Sequence, residues 1–386
     1  MTVLHQSYAA MIAFWGAVIL GAGYASAQEA TAGPAPVDPA TATSEFGDEL
    51  LWYDATSLPV DGRGWTDTAA PYDRLPARAE GVVRPPVWDL SRDSAGMAVR
   101  FMTNSPTIGA RWVLRDASLA MAHMPATGVS GLDLYVKDGG RWLWVANGRP
   151  SATTMQAKLL SGIPEGMHEY LLYLPLYNGV TTVHIGVQPD STLAVPPQRP
   201  EATRKPIVFW GTSVTQGGCA ARPGMAYPAI VGRMMDRPTI NLGFSGNGQM
   251  EPEMAKFIAE LDAEMFVVDC CPNLGPEEIA ARTEPVVQLL RETRPETPIV
   301  LMENIIYQEG YFIPGMREAY EKKNVELKAA YERLVAAGVK NLHYIPCDAL
   351  LGDDAEATVD GTHATDLGFL RMAQAITPVL NSILSK

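Results

Sequence analysis

The sequence lacks the basic patterns that attract nucleic acid. No run of lysine or arginine is interleaved with aromatic residues, and the formal net charge is -13 at pH 7, with a pI near 5.0. A chain of this charge has no net positive field to hold a phosphate backbone. Nucleic acid is therefore not an expected partner.

Cysteine is scarce, and the four residues all lie in the second half of the chain, at Cys219, Cys270, Cys271 and Cys347. No two of them have the Cys-x-x-Cys spacing of a zinc site, so we expect no metal site and no cofactor. An oxidising compartment would permit a disulfide, but the sequence does not indicate which pair would form it.

Basic residues are also absent from the start of the chain, where no Lys or Arg precedes Arg63. Residues 9–25 form an uncharged, mostly apolar run, and Ala25-Ser26-Ala27 is a small-x-small pattern that signal peptidase recognises. We therefore interpret residues 1–27 as a signal peptide. The protein is expected to be periplasmic or secreted, without stable membrane association after cleavage. An uncleaved N-terminal anchor is the alternative, because ~17 to 25 apolar residues can span a bilayer.

The remaining chain has the composition of folded protein, with 47% hydrophobic and 19% charged residues. Its 386 residues exceed the usual length of one domain. Residues 28–45 are rich in Ala, Thr and Pro and are predicted to be a flexible linker. Two domains are expected after it, at residues 46–200 and 201–386.

The first of these regions consists of short alternating segments separated by turn signals. Apolar and polar residues alternate over 132–136, and a turn with two glycines leads to residues 142–145, which predicts a hairpin. Asn178-Gly179 between residues 170–177 and 180–187 predicts a second one. Several such strands without a periodic helix predict an all-β sandwich, jelly-roll-like in type.

The second region alternates short apolar strands with helical patterns. The strands are predicted at residues 206–210, 239–242, 265–269, 298–302 and 342–345. Helical spacing between them predicts an α/β fold, a parallel sheet with helices on both faces. Functional sites in such a sheet form at the carboxyl ends of the strands.

Two short segments at opposite ends of this region have catalytic residue types. Ser213 follows the first strand directly, among small residues that allow close approach of a substrate. Asp360 and His363 are three positions apart in one loop, so the carboxylate can orient one ring nitrogen while the other faces a nucleophile. A serine or aspartate beside a helix is usually only a cap, but together the segments predict a nucleophile and its base.

Two further loops follow the second and third strands, at residues 241–248 and 269–273. With them the chain from about Pro206 onward resembles the SGNH, or GDSL-like, hydrolases, whose name gives a Ser, a Gly, an Asn and a His in four blocks. By motif, these residues are Ser213, Gly246, Asn273 and His363.

The resemblance implies a flavodoxin-like parallel sheet and a catalytic triad of Ser213, Asp360 and His363. It also implies an oxyanion hole formed by the backbone amides of Ser213 and Gly246 and the side-chain amide of Asn273. Such donors stabilise the tetrahedral intermediate of acyl transfer.

One branch of that family has a preceding β domain, and Gly131-Leu132-Asp133-Leu134-Tyr135 is similar to its GxDLY element. Residues 219–227 also resemble that branch. Two departures are modest: the nucleophile block reads Gly-Thr-Ser instead of Gly-Asp-Ser, and Ala364 follows the histidine where Pro is frequent. Neither removes a catalytic group.

The expected function is a serine esterase that hydrolyses short-chain acyl esters, especially acetyl esters, through an acyl-enzyme intermediate. Export, acidity and an attached sandwich favour an acylated carbohydrate over emulsified lipid, and no long apolar insertion resembles a lipase lid. Arg222 and Glu303 are candidate substrate contacts, with a structural ion pair as the alternative for Arg222.

Three other interpretations remain open at this stage. The protein could be a lipase- or thioesterase-type acylhydrolase. It could be a carbohydrate-binding protein with an inactive hydrolase domain, in which Trp142 and Trp144 stack on sugar rings. A cysteine near the same loops, such as Cys219, could replace the serine as nucleophile.

Overall fold

The structure is a computed structural model that describes residues 33–45 and 48–385. The predicted signal peptide lies outside the described residues. The strands are β1 (Ala35–Pro36), β2 (Leu51–Asp54), β3 (Val60–Asp61), β4 (Ala98–Thr103), β5 (Thr107–Leu114), β6 (Leu132–Asp138), β7 (Arg141–Gly148), β8 (Thr154–Ser161), β9 (His168–Tyr173), β10 (Val180–Val187), β11 (Leu193–Val195), β12 (Ile207–Gly211), β13 (Thr239–Gly243), β14 (Met265–Asp269), β15 (Ile299–Met302) and β16 (Leu342–Ile345). The helices are α1 (Pro85–Ser91), α2 (Ala126–Val129), α3 (Glu201–Arg204), α4 (Ser213–Gln216), α5 (Tyr227–Met234), α6 (Pro252–Glu260), α7 (Pro276–Thr293), α8 (Pro314–Ala336) and α9 (Asp366–Leu384).

Two antiparallel sheets form a β-sandwich from the first eleven strands. One has the order β1-β11-β4-β9-β6-β7, with β3 paired to β4, and the other has the order β2-β10-β5-β8. The inward side chains of both sheets, including Phe101, Trp112, Leu134, Tyr170 and Ile185, form one buried core. Alternation along each strand places one set of side chains in this core and the other set on the outside. The predicted sandwich is confirmed.

The first predicted hairpin is confirmed, since β6 and β7 pair and Asp138 lies opposite Arg141. The second is wrong: β9 pairs with β4 and β6, whereas β10 pairs with β2 and β5 in the other sheet. The Asn178 side chain explains the difference. Its Nδ2 donates to Asp116 O (2.9 Å) and Ser130 Oγ (3.0 Å), so the Asn-Gly turn fixes a crossing between sheets.

The described part of the predicted flexible linker is held against the sandwich. Ala35 and Pro36 pair antiparallel with Val195 and Ala194 of β11. Thr43 N donates to Trp52 O at 2.8 Å. Main-chain hydrogen bonds, which composition does not reveal, hold residues 35–37 and 43 on the sandwich, so the flexible-linker interpretation does not apply to these residues.

The remaining strands form a parallel sheet of order β13-β12-β14-β15-β16. Numbered along the chain this is 2-1-3-4-5, the flavodoxin-like order, so the predicted fold class is confirmed. The buried faces of α6, α7 and α8 lie in one core and those of α5 and α9 in a second, which places helices on both sides of the sheet. All five predicted strands are present to within a residue or two.

Helix α9 is, within the described residues, the one helix whose length and hydropathy fall in the range of a membrane span. Its buried residues include Phe369, Met372, Ile376 and Leu380, which pack in the core beneath the sheet. This spacing of three to four positions places them on one face, as in the core helix of an α/β fold.

Residues between β3 and β4 leave the sandwich and pack on the α/β region. Trp65, Leu75 and Trp88 lie in the same core as Phe244 and Phe257. Trp65 Nε1 also donates to Glu260 Oε2 at 2.9 Å. A boundary at residue 200 thus separates the sheets but cuts through a shared core.

Candidate active site

Ser213 is the first residue of α4, immediately beyond the carboxyl end of β12. Thr212 caps this short helix, because its Oγ1 accepts from Val214 N at 3.3 Å. A side chain at Gly211 would meet Thr215 Oγ1 at 2.0 Å, so the turn requires glycine there. The residues around Ser213 therefore bend the chain sharply and place the hydroxyl at the carboxyl end of the parallel sheet.

His363 and Asp360, the two other residues of the predicted triad, lie beside this hydroxyl. Ser213 Oγ is 2.9 Å from His363 Nε2, and His363 Nδ1 is 2.8 Å from Asp360 Oδ2. The His363 main-chain N–H also donates to Asp360 Oδ1 at 2.8 Å. Burial raises the pKa of Asp360, but the amide and imidazole of His363 outweigh it and hold that pKa below its usual range. A negative carboxylate thus orients the imidazole toward the hydroxyl.

The loop with Asp360 and His363 is fixed by a neighbouring segment that follows β15. Gln308 Oε1 accepts from Thr358 N (3.0 Å) and from Thr358 Oγ1 (2.7 Å), and Gln308 N donates to Gly361 O (2.9 Å). Gly361 has a φ of +85°, and a side chain there would overlap the Glu309 carboxylate. Glycine and glutamine together define the path of this loop.

Gly246 and Asn273 follow β13 and β14, the strands on either side of β12. Gly246 is exposed and has a φ of +67°, in the left-handed region that favours glycine. The hydrogen-bonding partners of the Asn273 amide fix its orientation: Oδ1 accepts from Asn247 N (3.0 Å) and Gly248 N (3.2 Å), and Nδ2 is the donor on the other side. Ser213, Gly246 and Asn273 thus lie at one edge of the sheet.

Comparison with known proteins agrees with this arrangement. Residues 204–381 match the model of the GDSL-like Lipase/Acylhydrolase family, and residues 50–193 match the model of the N-terminus of SGNH hydrolase-type esterases. A protein from Bacteroides ovatus that is described as a GDSL-like lipase has 38% sequence identity and a TM-score of 0.82, over 87% of this chain and 98% of its own. The chain belongs to the GDSL-like lipase/acylhydrolase family. It is a carboxylic ester hydrolase.

More distant solved structures share the fold of this GDSL-like hydrolase. A salicylyl-acyltransferase from a tetracycline biosynthetic pathway has 19% identity and a TM-score of 0.65, over 89% of this chain and 97% of its own. A family two carbohydrate esterase from Clostridium thermocellum, in complex with cellohexaose, has 14% identity and a TM-score of 0.56, over 75% and 93%. An acetyl xylan esterase from Butyrivibrio proteoclasticus has 10% identity and a TM-score of 0.53, over 88% and 99%. Among curated protein sequences, none matches this chain.

The two residues predicted to contact substrate in the GDSL-like hydrolase have other partners. Arg222 Nη1 donates to Asp133 Oδ2 at 2.8 Å, the ion pair that the sequence left open as its alternative role. Glu303 is buried, and its two carboxylate oxygens accept from the Tyr344 hydroxyl (2.6 Å) and from Cys347 N (2.8 Å). Both charged groups have partners within the protein, and a direct role in substrate binding stays a prediction for Arg222 and Glu303.

The GxDLY element joins the sandwich to the loop that follows the nucleophile. Asp133 is fully buried, and it accepts from Trp144 Nε1 (2.7 Å) and Gly224 N (2.9 Å) as well as from Arg222. Burial raises the pKa of Asp133 more than Arg222 lowers it. The carboxylate is therefore costly to bury and has three donors to offset that cost.

Two alternatives from the sequence lose support from the same contacts. The indole N–H of Trp142 donates to Asp236 Oδ1 at 3.0 Å. The indole N–H of Trp144 donates to Asp133 within the sandwich, and its ring centroid lies 5.1 Å from the guanidinium carbon of Arg222. Both tryptophans therefore lie at the contact between the sandwich and the α/β region. The four cysteines are buried free thiols. Burial, with the nearby Asp360, raises the pKa of Cys219 to about 12, which disfavours the thiolate that a nucleophile requires.

Sequence reasoning missed three groups that position Ser213. The hydroxyl of Tyr177 donates to Ser213 O at 3.2 Å. Gln216 Oε1 accepts from Ser245 N at 2.9 Å, which ties α4 to the loop of Gly246. Asp269 Oδ2 accepts from the hydroxyls of Thr215 (2.7 Å) and Tyr227 (3.0 Å). Their partners lie far apart in sequence, so no local pattern indicates them.

Asp269 makes the stability of the enzyme depend on pH. Burial raises its pKa to about 7, although the hydroxyls of Thr215 and Tyr227 lower it. An aspartate in the unfolded chain has a pKa of about 3.9, so the folded protein holds the extra proton between these values. Its stabilising contribution is complete below the unfolded pKa and is lost as pH rises through the folded pKa.

Asp269→Asn, which resembles the protonated form, should remove this dependence. From pH 4 to pH 7 the wild type should lose a few kcal/mol relative to the variant. The measurement is the free energy of unfolding in denaturant across that range. Asp89→Asn, at an exposed aspartate of α1, is the matched control. Parallel curves for the wild type and Asp269→Asn would contradict the assignment.

Proposed function

We propose that this hydrolase is a serine esterase that removes short acyl groups, chiefly acetyl groups, from carbohydrate. The observation that supports it best is the hydrogen-bonded series from Ser213 Oγ through His363 to Asp360, with distances of 2.9 and 2.8 Å. A serine hydroxyl is a weak nucleophile by itself and needs an adjacent base oriented by a third group.

The first half of the reaction transfers the acyl group to the protein. His363 Nε2 accepts the proton of Ser213 Oγ as this oxygen bonds to the ester carbonyl carbon. Asp360 stabilises the imidazolium that forms. The carbonyl oxygen becomes negative, and the main-chain amides of Ser213 and Gly246 and the Asn273 side chain donate to it. His363 then gives its proton to the leaving alcohol as the carbon–oxygen bond breaks.

The second half releases the acid. Water replaces the alcohol, and His363 Nε2 takes a proton from it as the water oxygen attacks the acyl carbon. The tetrahedral intermediate uses the same donors. Its collapse breaks the bond to Ser213 Oγ, which regains the proton from His363. The carboxylic acid leaves and the starting state is restored.

Support for a carbohydrate ester comes from three sources. The predicted signal peptide would place the enzyme where polymeric carbohydrate occurs. Gly246, at the rim of the site, is exposed, and a side chain built there would meet nothing within 4 Å, so a bulky alcohol has room on this side. The fold is shared with an acetyl xylan esterase and with a carbohydrate esterase in complex with cellohexaose.

A substrate panel tests this proposal. Full-length protein is incubated with acetylated xylo- and cello-oligosaccharides, a long-chain triglyceride, an acyl thioester, and 4-nitrophenyl esters of two to sixteen carbons. We expect the highest kcat/KM for acetyl esters on sugar, with Ser213→Ala as the blank. A preference for the triglyceride or the thioester would establish the lipase or thioesterase alternative instead.

A further inference from the structure

A second histidine lies beside the proposed triad and comes from the sandwich. His123 follows β5, and its ring is exposed. The ring meets that of His363 edge to face, with centroids 5.7 Å apart and planes at 70°. Within the residues that the structure describes, the His123 ring has no hydrogen-bond partner. Its nitrogen lone pair is therefore available to a ligand.

The main chain holds His123 in this position from both sides. Met121 N donates to Met124 O (3.0 Å) and Met124 N donates to Met121 O (3.2 Å), which closes a tight turn around it. Just beyond the turn, Thr127 Oγ1 donates to Ala221 O at 2.6 Å. This hydrogen bond connects the turn to the loop that follows the nucleophile. The position of the His123 main chain beside His363 is therefore fixed.

Ligand atoms of His123, Asp360 and His363 all lie within 4.8 Å of one another. Two imidazoles and a carboxylate are a frequent zinc ligand set, and three protein ligands leave a fourth position for water. Ligands of one tetrahedral zinc lie roughly 3.4 Å apart, given bonds of about 2.1 Å. Rotation of the exposed His123 ring would bring its nitrogen closer to the Asp360 and His363 ligand atoms, from within 4.8 Å to this separation.

We propose that these three residues form an inhibitory site for Zn²⁺ and similar divalent transition metals. The metal would bridge the sandwich and the α/β region, with His123 as the ligand that the triad itself does not need. Imidazole suits zinc, copper and nickel, whereas Mg²⁺ and Ca²⁺ prefer sites made of oxygen atoms. The site is therefore expected to discriminate between these two classes.

Inhibition follows from the lone pairs that the metal would occupy, and this step rests on the proposed function. Coordination at His363 Nε2 would remove the acceptor for the Ser213 proton. Coordination at Nδ1 would break the bond to Asp360 and place the single ring proton on Nε2, which then cannot accept the Ser213 proton. In either case His363 can no longer act as the base, so zinc-bound enzyme should be inactive until the metal is removed.

The test combines kinetics with direct binding on the full-length protein. Hydrolysis of 4-nitrophenyl acetate is followed during titration with ZnCl₂, and each variant's rate is divided by its own metal-free rate. Zinc should inhibit the wild type, EDTA should restore the rate, and MgCl₂ should have no effect. His123→Gln should raise the half-inhibitory zinc concentration at least about 10-fold, as expected for a lost ligand. His184→Gln, at a histidine on β10, is the control and should match the wild type.

Calorimetric titration of Ser213→Ala with ZnCl₂ separates the metal site from the esterase proposal. One zinc should bind per chain, and the double variant with His123→Gln should bind it at least about 10-fold more weakly. Zinc binding of this kind, together with a wild type that hydrolyses no ester, would overturn the proposed function and keep the metal site. Equal zinc affinity with and without His123, or equal inhibition by Mg²⁺, would overturn the metal site alone.

Discussion

Ser213→Ala and His363→Ala are each expected to lower kcat/KM for 4-nitrophenyl acetate by about 10⁵- to 10⁶-fold. The serine forms the acyl-enzyme and the histidine activates it, so the two act as one unit. The double variant should therefore be hardly slower than either single variant. Independent losses that multiply in the double variant would show that the two side chains do not share a step.

Asn273→Ala is the informative contrast, because it removes one oxyanion donor and keeps the nucleophile. We expect a loss of about 10²- to 10³-fold, with acylation slow but complete. A fluorophosphonate probe and mass spectrometry distinguish these cases. Wild type and Asn273→Ala should be labelled on Ser213, at different rates, and Ser213→Ala should not be labelled. A label on any cysteine would overturn the assignment of the nucleophile.

Asp133→Ala is expected to destabilise the folded protein by about 3 to 5 kcal/mol. The replacement leaves Arg222 without its anionic partner, and it leaves the buried N–H of Gly224 and the indole N–H of Trp144 without this acceptor. Because Arg222 and Gly224 belong to the loop after the nucleophile, kcat should fall as well. The measurement is the free energy of unfolding in denaturant, with activity followed in parallel.

The matched control for Asp133→Ala lies on the same strand. Asp138→Ala removes an exposed carboxylate at the end of β6 and should change stability by about 0.5 kcal/mol or less. If both variants unfold at the same denaturant concentration, the GxDLY aspartate has no structural role of the kind its contacts indicate.

The α/β region could be predicted from sequence because its strands are buried on both faces. They read as short apolar runs, such as 207–210 and 265–268, and the polar residues that follow them must lie at one sheet edge. By this rule Ser213 and His363 are expected at the same edge, and in the structure Ser213 Oγ lies 2.9 Å from His363 Nε2. Burial of whole strands is a strong local signal, and the site residues follow from it.

Errors arose where the answer depends on a distant partner. Asn178-Gly179 marks a turn, but the next strand joins the other sheet, and the Asn178 contacts that hold this crossing are with Asp116 and Ser130, both distant in sequence. Arg222 and Glu303 have charges suited to a ligand, and the sequence does not reveal that Arg222 pairs with Asp133 or that Glu303 accepts from Tyr344. His123 lies in no helical or strand pattern of the sequence. Its position beside His363 depends on how the sandwich packs against the α/β region. None of these contacts can be predicted from the residues that neighbour it in the sequence.

The shared core between the β3–β4 segment and the α/β region determines when the chain can finish folding. Trp65 packs and hydrogen-bonds against α6, whose residues are synthesised almost two hundred positions later. Contacts of such long sequence separation form late, because the entropy of closing the loop opposes them until the partner is present. Until then, Trp65, Leu75 and Trp88 are exposed apolar side chains on an incomplete chain. On a chain that does not yet include α6, this segment therefore presents apolar surface to other molecules.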